Sequence, residues 1–389
     1  MMNPEEQMKI IKKGVVDLLP EIALLEKLKK NIPLKIKLGA DPSAPDLHLG
    51  HAVVLRKLKQ LQELGHEIIF LIGDFTAMIG DPSGKSETRK PLTREEVLKN
   101  SETYKKQLFK ILDAEKTTVK FNSAWLDELN FRDLLKLTSC VTVAQLLERD
   151  DFSKRFNEQR PISLVEFMYP LAQAYDSVAL ESDLETGGTD QKFNLLFGRT
   201  LQHLLGKEPQ CILTMPIIEG TDGVQKMSKS LNNYIGITET PENMFGKIMS
   251  IPDTLIQKYF ELLTDIDIDL VKTRLTSGEN PRNLKVELGQ DIVTQYHSKE
   301  DADRALAHFE NLFKKGGIPD EMPEFIINSE MSIVDCLLEA GLEKSKGAIR
   351  RLITQNAISV DGEKIQEDYI INKECVIRMG KLKFLRIKK

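Results

Sequence analysis

Residues 34–74 constrain this chain more than any other stretch. LKIKL at 34–38 reads as a short buried strand, and a Gly/Asp/Pro/Ser loop follows to Leu47. GHAVVLRKLKQLQELG then reads as a helix ended by Gly65, and HEIIFLIGDF supplies a second buried strand. Two apolar strands joined through a helix are expected to lie parallel, because the crossover returns the chain to the edge of the sheet where it began. The order predicts an α/β fold built on a Rossmann-like, doubly wound parallel sheet. CILTMPI at 211–217 has the same apolar character and is expected to return as a further strand. The intervening residues 92–185 read as largely helical, an insertion into the sheet domain.

A chain of 389 residues is too long for one compact core. Three parts are expected: 1–222, the Rossmann-like domain with a helical insertion at about 115–185; 223–325, a Lys/Ser-rich loop and a helical domain; and 331–389, a small α+β domain. KKGGIPDEMPEF at 314–325 concentrates Gly and Pro and is the linker candidate. Residues 4–30 read as one or two amphipathic helices. No apolar run approaches the roughly 20 residues of a membrane span, and the N-terminal MMNPEEQMKIIKKG has no apolar signal core, so a cytoplasmic protein without membrane contact is expected. Cys140, Cys211, Cys336 and Cys375 show no C-x-x-C pair and no His at zinc-finger spacing, which favours reduced buried thiols over disulfides or zinc. The net charge of −5 hides a basic end: RMGKLKFLRIKK carries six basic side chains and no acidic one.

Two constellations carry chemistry. The first runs from Asp41 to His51 between a strand and a helix, at the sheet edge where open α/β sheets bind ligands. His48 and His51 are three apart at the helix start, so both rings can face one side, and Gly50 between them leaves backbone room for a nucleotide. Imidazole N–H donors beside the positive end of a helix suit phosphate oxygens in a crowded transition state. A lone H-x-x-H is equally a metal pair or a chance helix start, but a metal pair needs a third ligand and none is adjacent. No metal site is expected. The second constellation is Lys226-Met227-Ser228-Lys229-Ser230, in a Gly-rich loop after the strand at 211–217. Two lysines interleaved with hydroxyls could clamp triphosphate oxygens; taken alone, they are solvated charge.

Together, H-x-G-H after the first strand and K-M-S-K-S after the last closely resemble the paired signatures of class I aminoacyl-tRNA synthetases. GDPSGKSETR at 80–89, MYPLAQAYDS at 168–177 and GGTDQKFN at 187–194 resemble segments of the tyrosyl branch. That resemblance implies activation of L-tyrosine with ATP, magnesium accompanying the nucleotide and no tightly bound cofactor, then transfer of tyrosine to tRNA(Tyr). It implies that Asp81, Tyr169 and Gln173 hold the substrate ammonium and Asp176 the phenol. It sets Asp41, Asp190 and Gln191 near ammonium or ribose. Ser43, His48, Gly50, His51 and residues 226–230 would contact ATP, with His48, His51, Lys226 and Lys229 acting in catalysis and Lys85 and Arg89 assisting. It further implies a homodimer built on the insertion. Independently of the resemblance, Tyr169, Gln173 and Asp176 fall at i, i+4 and i+7, on one helix face. Without the flanking motifs they could equally be ordinary helix residues. Lys37 stands where many tyrosyl enzymes carry a tyrosine that meets the substrate phenol. It could face elsewhere or lean on the substrate through water, and Asp176 then carries more of the specificity.

The terminal block resembles a small RNA-binding module first named in a ribosomal small-subunit protein. Ser345, Lys346, Arg350 and Arg351 lie on or near one of its helices, the pattern expected where basic side chains grip RNA phosphates. A solvated basic face is the plainer reading, and no DNA contact is expected. Two other functions compete with the tyrosyl reading: a related class I enzyme such as the tryptophanyl one, and an RNA-binding regulator on a synthetase scaffold.

Overall fold

The computed structural model describes residues 2–42, 46–81, 93–314, 322–327, 330–343, 345–380 and 383–388. The chain divides into two compact units, 1–302 and 303–389.

The first unit is organised by a six-stranded sheet: β1 (Asp17–Leu19), β2 (Lys35–Ala40), β3 (Glu67–Ile72), β4 (Thr117–Phe121), β5 (Leu184–Gly188) and β6 (Cys211–Met215). Their spatial order is β1-β6-β5-β2-β3-β4, parallel throughout except for β1, which runs antiparallel to β6. From β2 the chain winds outward through β3 to β4, then returns to the other side of β2 for β5 and β6. The strand order therefore reverses between β2 and β5, the point where open α/β sheets present a ligand crevice. Ile36, Ile68, Phe70, Leu71, Ile72, Ile212 and Leu213 are buried, as strands covered on both faces require.

Three strands of this sheet escape the sequence reading. β4 lies inside 115–185, so the helical excursion begins only after it, at Ser123–Leu126, and continues to Leu164–Leu180. TTVKF sits at the sheet edge with its residues only partly buried, and so lacks the apolar run of a central strand. β5, LETGG, is nearly all buried, but its Glu and paired glycines give no strand signal. The short β1 likewise interrupts the N-terminal helices Pro4–Lys12 and Glu21–Lys29.

The excursion packs Leu137 and Leu146 onto Leu171, Ala174 and Val178 of the Leu164–Leu180 helix and onto Phe197 and Leu201 of Lys192–Leu204. After β6 come Pro241–Ser250, Ile256–Leu263, Ile268–Thr276 and Pro281–Tyr296, which pack on one another; Ile256–Leu263 also packs on the Leu49–Glu63 helix. Among the described residues no helix is long and apolar enough to cross a membrane. The four cysteines are free thiols, Cys140 partly exposed and the others buried.

The second unit contains the helices Ile333–Glu339 and Lys346–Thr354 against a sheet ordered β10-β9-β12-β13-β7: β7 (Glu324–Ile326), β9 (Ile358–Val360), β10 (Glu363–Lys364), β12 (Cys375–Met379) and β13 (Lys383–Lys388). β8 (Met331–Ser332) and β11 (Ile370–Ile371) form a separate pair. Its core joins Ile333, Leu337, Ile349, Ile353, Ile377 and Ile387. The stretch read as a linker ends inside this unit, because β7 pairs with β13.

Candidate active site

The sheet's carboxyl edge opens into a cavity of about 1050 Å3, lined by residues from the ends of β2, β3, β5 and β6, from the Leu164–Leu180 helix and from the 226–231 loop. Of the residues singled out from sequence, Asp41, His48, Gly50, His51, Asp81, Tyr169, Gln173, Asp176, Asp190, Gln191 and Lys226 through Ser230 all line it. Ser43, Lys85 and Arg89 lie outside the described residues.

His48 is the N-cap of the Leu49–Glu63 helix and His51 its third residue, and the pair forms a capping box. Nδ1 of His48 accepts from the Gly50 amide at 3.1 Å, and Nδ1 of His51 accepts from the His48 amide at 3.3 Å. A neutral ring that accepts at Nδ1 carries its proton on Nε2, so each imidazole keeps one N–H donor. Burial first, then the nearby positive charge of Lys229, pushes His51 down to about 4; burial and both neighbours push His48 down to about 2. The ring centroids are 4.0 Å apart. Gly50 has a nearer reason than nucleotide room: a Cβ there would come 2.9 Å from the His48 ring and 3.7 Å from Met227 Cβ. It is where the two signature segments touch.

The 226–230 segment is docked. Leu49 N donates to Ile235 O at 2.9 Å and Ile237 N to Leu47 O at 3.1 Å, stitching the chain beyond the loop to the start of the histidine helix. Met227 is buried, and Lys229 pairs with Asp46 at the cavity rim. Lys226 stands 3.7 Å from Asp190, whose carboxyl burial shifts upward against the pull of that lysine. The hydroxyls of Ser228 and Ser230 are 2.9 Å apart. Asn233, buried and not singled out from sequence, braces the loop. Its Oδ1 accepts from Ser228 N at 2.8 Å, and its Nδ2 reaches Lys226 O at 3.1 Å and Asp222 Oδ2 at 2.8 Å.

Across the cavity, Tyr169, Gln173 and Asp176 do share the inner face of Leu164–Leu180. The Tyr169 hydroxyl donates to Asp41 Oδ2 at 2.9 Å, and burial followed by the Asp41 charge raises that phenol well above its ordinary range. Thr76 donates to Asp41 Oδ1 at 2.7 Å; Asn122 Nδ2 donates to Thr76 at 3.1 Å and to Asp176 Oδ2 at 3.2 Å; Trp125 Nε1 donates to Asp176 Oδ1 at 2.8 Å. One hydrogen-bonded chain thus joins the two carboxylates at opposite ends of the helix face. Gly73 admits it, since a Cβ there would come 2.1 Å from Asp41 Oδ1 and 2.3 Å from Thr76 Oγ1. Burial raises Asp176 to about 7, opposed by Lys37 and by the Trp125 and Asn122 hydrogen bonds. Gln173 Oε1 is buried with no hydrogen-bond partner in the protein. Asp81 accepts from Arg149 and from Gln191, both at 3.3 Å, and buried Arg149 also holds Asp151 at 2.7 Å. Thr76, Asn122, Trp125, Arg149 and Asn233 carried no sequence signal, because separate segments bring them together: Thr76 follows β3, Asn122 and Trp125 follow β4, Arg149 lies in the excursion and Asn233 beyond the 226–230 loop.

Lys37 does not line the cavity itself but pairs at 2.9 Å with Glu185, which does. Among the described residues no group of three or more His, Cys, Asp or Glu could hold a metal. In the second unit Arg350 and Arg351 are exposed on Lys346–Thr354, while Lys346 pairs with Asp335 at 2.6 Å. Lys388 and Arg386 of the basic tail lie on β13 beside Glu324.

Residues 29–314 match the family model for tRNA synthetases class I (W and Y), and residues 314–387 match the C-terminal domain of tyrosine–tRNA ligases. A tyrosine–tRNA ligase of Carboxydothermus hydrogenoformans is 55% identical, covering 98% of both chains. One of Thermotoga maritima is 54% identical, covering 99% of this chain and 98% of its own. Among solved structures, the tyrosyl-tRNA synthetase of Archaeoglobus fulgidus complexed with L-tyrosine superposes with a TM-score of 0.65 at 24% identity, over 78% of this chain and 100% of that one. A tryptophanyl-tRNA synthetase of Plasmodium falciparum gives 0.60 at 16% identity, over 77% and 92%. At such identities these structures speak for the fold alone.

Proposed function

Because this chain belongs to the tyrosine–tRNA ligase family of class I tRNA synthetases, we propose that it activates L-tyrosine with ATP and esterifies the product to tRNA(Tyr). The observation that carries the reading is the convergence of the H-x-G-H and K-M-S-K-S residues on one cavity with a buried carboxylate at its far end. The tryptophanyl and regulatory alternatives are not favoured, since full-length relatives at more than half identity are tyrosine–tRNA ligases.

In the first step the tyrosine carboxylate attacks the α-phosphorus of ATP, forming the mixed anhydride and releasing pyrophosphate; magnesium enters as part of the nucleotide substrate. No protein nucleophile is needed. Asp176 accepts the phenol proton in a hydrogen bond, and phenylalanine would leave that buried carboxylate with only its Trp125 and Asn122 donors, one hydrogen bond short. Asp41, Asp81, Tyr169 and Gln173 surround the ammonium, the unpartnered Gln173 Oε1 supplying an acceptor. Neutral His48 and His51 offer Nε2–H donors to phosphate oxygens, with Lys226 and Lys229 opposite them and Gly50, Met227, Ser228 and Ser230 shaping the nucleotide end. Asp190 and Gln191 serve the ribose or the substrate; Ser43, Lys85 and Arg89 complete the set by resemblance. In the second step a terminal ribose hydroxyl of the tRNA attacks the anhydride, and Ser345, Lys346, Arg350 and Arg351 contact RNA.

We take the enzyme to act as a homodimer through its insertion, where Phe131, Leu135, Val143, Phe156 and Leu164 are exposed large apolar side chains. Tyrosine-dependent ATP–pyrophosphate exchange tests the activity: exchange with tryptophan in place of tyrosine would overturn the specificity. A chain ending before β7 should keep exchange and lose tRNA charging, and unimpaired charging would remove the RNA role from the second unit.

A further inference from the structure

Lys37 is completely buried, and what surrounds it is built for a charge. Its ammonium meets Glu185 Oε1 at 2.9 Å, donates to Ser177 Oγ at 2.9 Å and reaches the Gln173 carbonyl at 3.3 Å. Glu185 in turn accepts from Ser177 Oγ at 2.8 Å and from Gln210 Nε2 at 2.5 Å, both through Oε2. Gly198 leaves the space, since a Cβ there would come 2.9 Å from both Gln210 Nε2 and Ser177 Oγ. Burying an ion pair costs more desolvation than a pair of apolar side chains would, so its presence here asks for a use. Gln173 and Ser177 flank Asp176 on the same helix turn, so the ammonium is pinned directly behind the residue proposed to receive the phenol.

We infer that the Lys37–Glu185 pair is a specificity-determining positioning element: it fixes a positive charge behind Asp176, so that the phenol of the substrate meets a carboxylate and not a carboxylic acid. Lys37 does not touch the substrate, and so replaces a direct contact with an electrostatic one. Lys37 is the one positive charge among the leading influences on Asp176. Trp125 and Asn122, from the segment after β4, are neutral donors; Glu185 on β5 is negative; Asp41 and the Tyr169 hydroxyl lie further along the chain through Thr76. Lys37 is the largest of the influences that oppose burial in favouring the charged form, and it outweighs Glu185.

The inference rests on Asp176 as the phenol acceptor, and that premise has its own control: tyrosine KM unchanged in Asp176→Ala would remove the premise, whatever Lys37 does. Given it, tyrosine-dependent exchange is followed against pH in the unaltered protein, in Lys37→Met and in Lys37→Met/Glu185→Gln. The double variant leaves no lone buried charge and serves where the single one does not fold. Loss of Lys37 should move the acid limb of kcat/KM for tyrosine upward by about one pH unit, an about fivefold rise in KM at pH 7 that approaches about tenfold at lower pH and that alkaline pH restores. The double variant should shift in the same direction by less. Preference for tyrosine over phenylalanine should fall in parallel, with KM for ATP unchanged. A purely structural pair would lower thermal stability and raise KM equally at every pH; an unmoved acid limb in the folded double variant overturns the inference.

Discussion

His48 and His51 are adjacent, half-buried and neutral, and the last property follows from the first two. Removal from water disfavours the charged ring at both positions, and the positive charge of Lys229 adds to it, with His51 at a centroid distance of 4.0 Å also acting on His48, so protonation is driven far below the ordinary histidine range. The sign of the stability effect is fixed by that depression. As pH falls below about 6.5 the unfolded chain binds protons that the folded site refuses, so stability declines toward about 4 for His51 and further toward about 2 for His48. His51→Asn keeps an N–H donor without a titrating ring, and its melting temperature should fall less steeply between pH 6.5 and 4 than that of the unaltered protein. Exchange by His48→Ala should lose about a hundredfold or more in kcat with little change in tyrosine KM, a split that steady-state kinetics reads directly. At this scale the sequence was most informative where residues act through local spacing: H-x-G-H and the Tyr169, Gln173, Asp176 face were legible. Trp125 and Asn122, which orient Asp176, were not, because only the fold brings the end of β4 against that helix. Lys37 was visible as a departure, but its direction depended on Glu185 across the sheet.

Elements were legible where their buried positions carry apolar side chains. β2, β3 and β6 announce themselves as apolar runs, whereas β4 is an exposed edge and β5 trades apolar side chains for Glu185 and two glycines at the cavity wall. A Gly-rich loop with two lysines reads as an open clamp; it is instead braced from below. Asn233 ties Ser228, Lys226 and Asp222 together, and Gly220 permits this, since a Cβ there would come 2.3 Å from the Asn233 side chain. Asn233→Ala removes the brace while leaving both lysines. We expect kcat for exchange to fall by more than tyrosine KM rises, together with a loss of about 1–3 kcal/mol in stability for the buried partners left unpaired. Chemical denaturation and tyrosine titration of exchange check both parts; a KM effect alone would show that the loop binds without positioning.

On the scale of the molecule, one helix connects three features that the sequence presented separately. Leu164–Leu180 begins at Leu164, an apolar side chain 78% exposed, packs its middle against the insertion through Leu171 and Ala174, and carries Tyr169, Gln173 and Asp176 into the cavity. Whatever covers the apolar end therefore shares an element with the tyrosine site, since a helix of this length transmits a shift at its start to the side chains about one to three turns on. Phe131 and Leu135, one turn apart and 74% and 54% exposed, share one face of the Phe131–Thr138 helix, a further exposed apolar part of the insertion. Charging that face should separate a homodimer without touching the cavity. Phe131→Asp/Leu135→Asp is expected to sediment as a monomer where the unaltered chain sediments as a dimer, to keep its far-ultraviolet dichroism, and to show a tyrosine KM raised about tenfold or more, the size of a 1.4 kcal/mol loss at the helix. A monomer with unaltered tyrosine KM would mean that the helix is rigid without its cover. A dimer that survives both aspartates would place the subunit interface elsewhere, and the exposed apolar residues of the insertion would then need another partner.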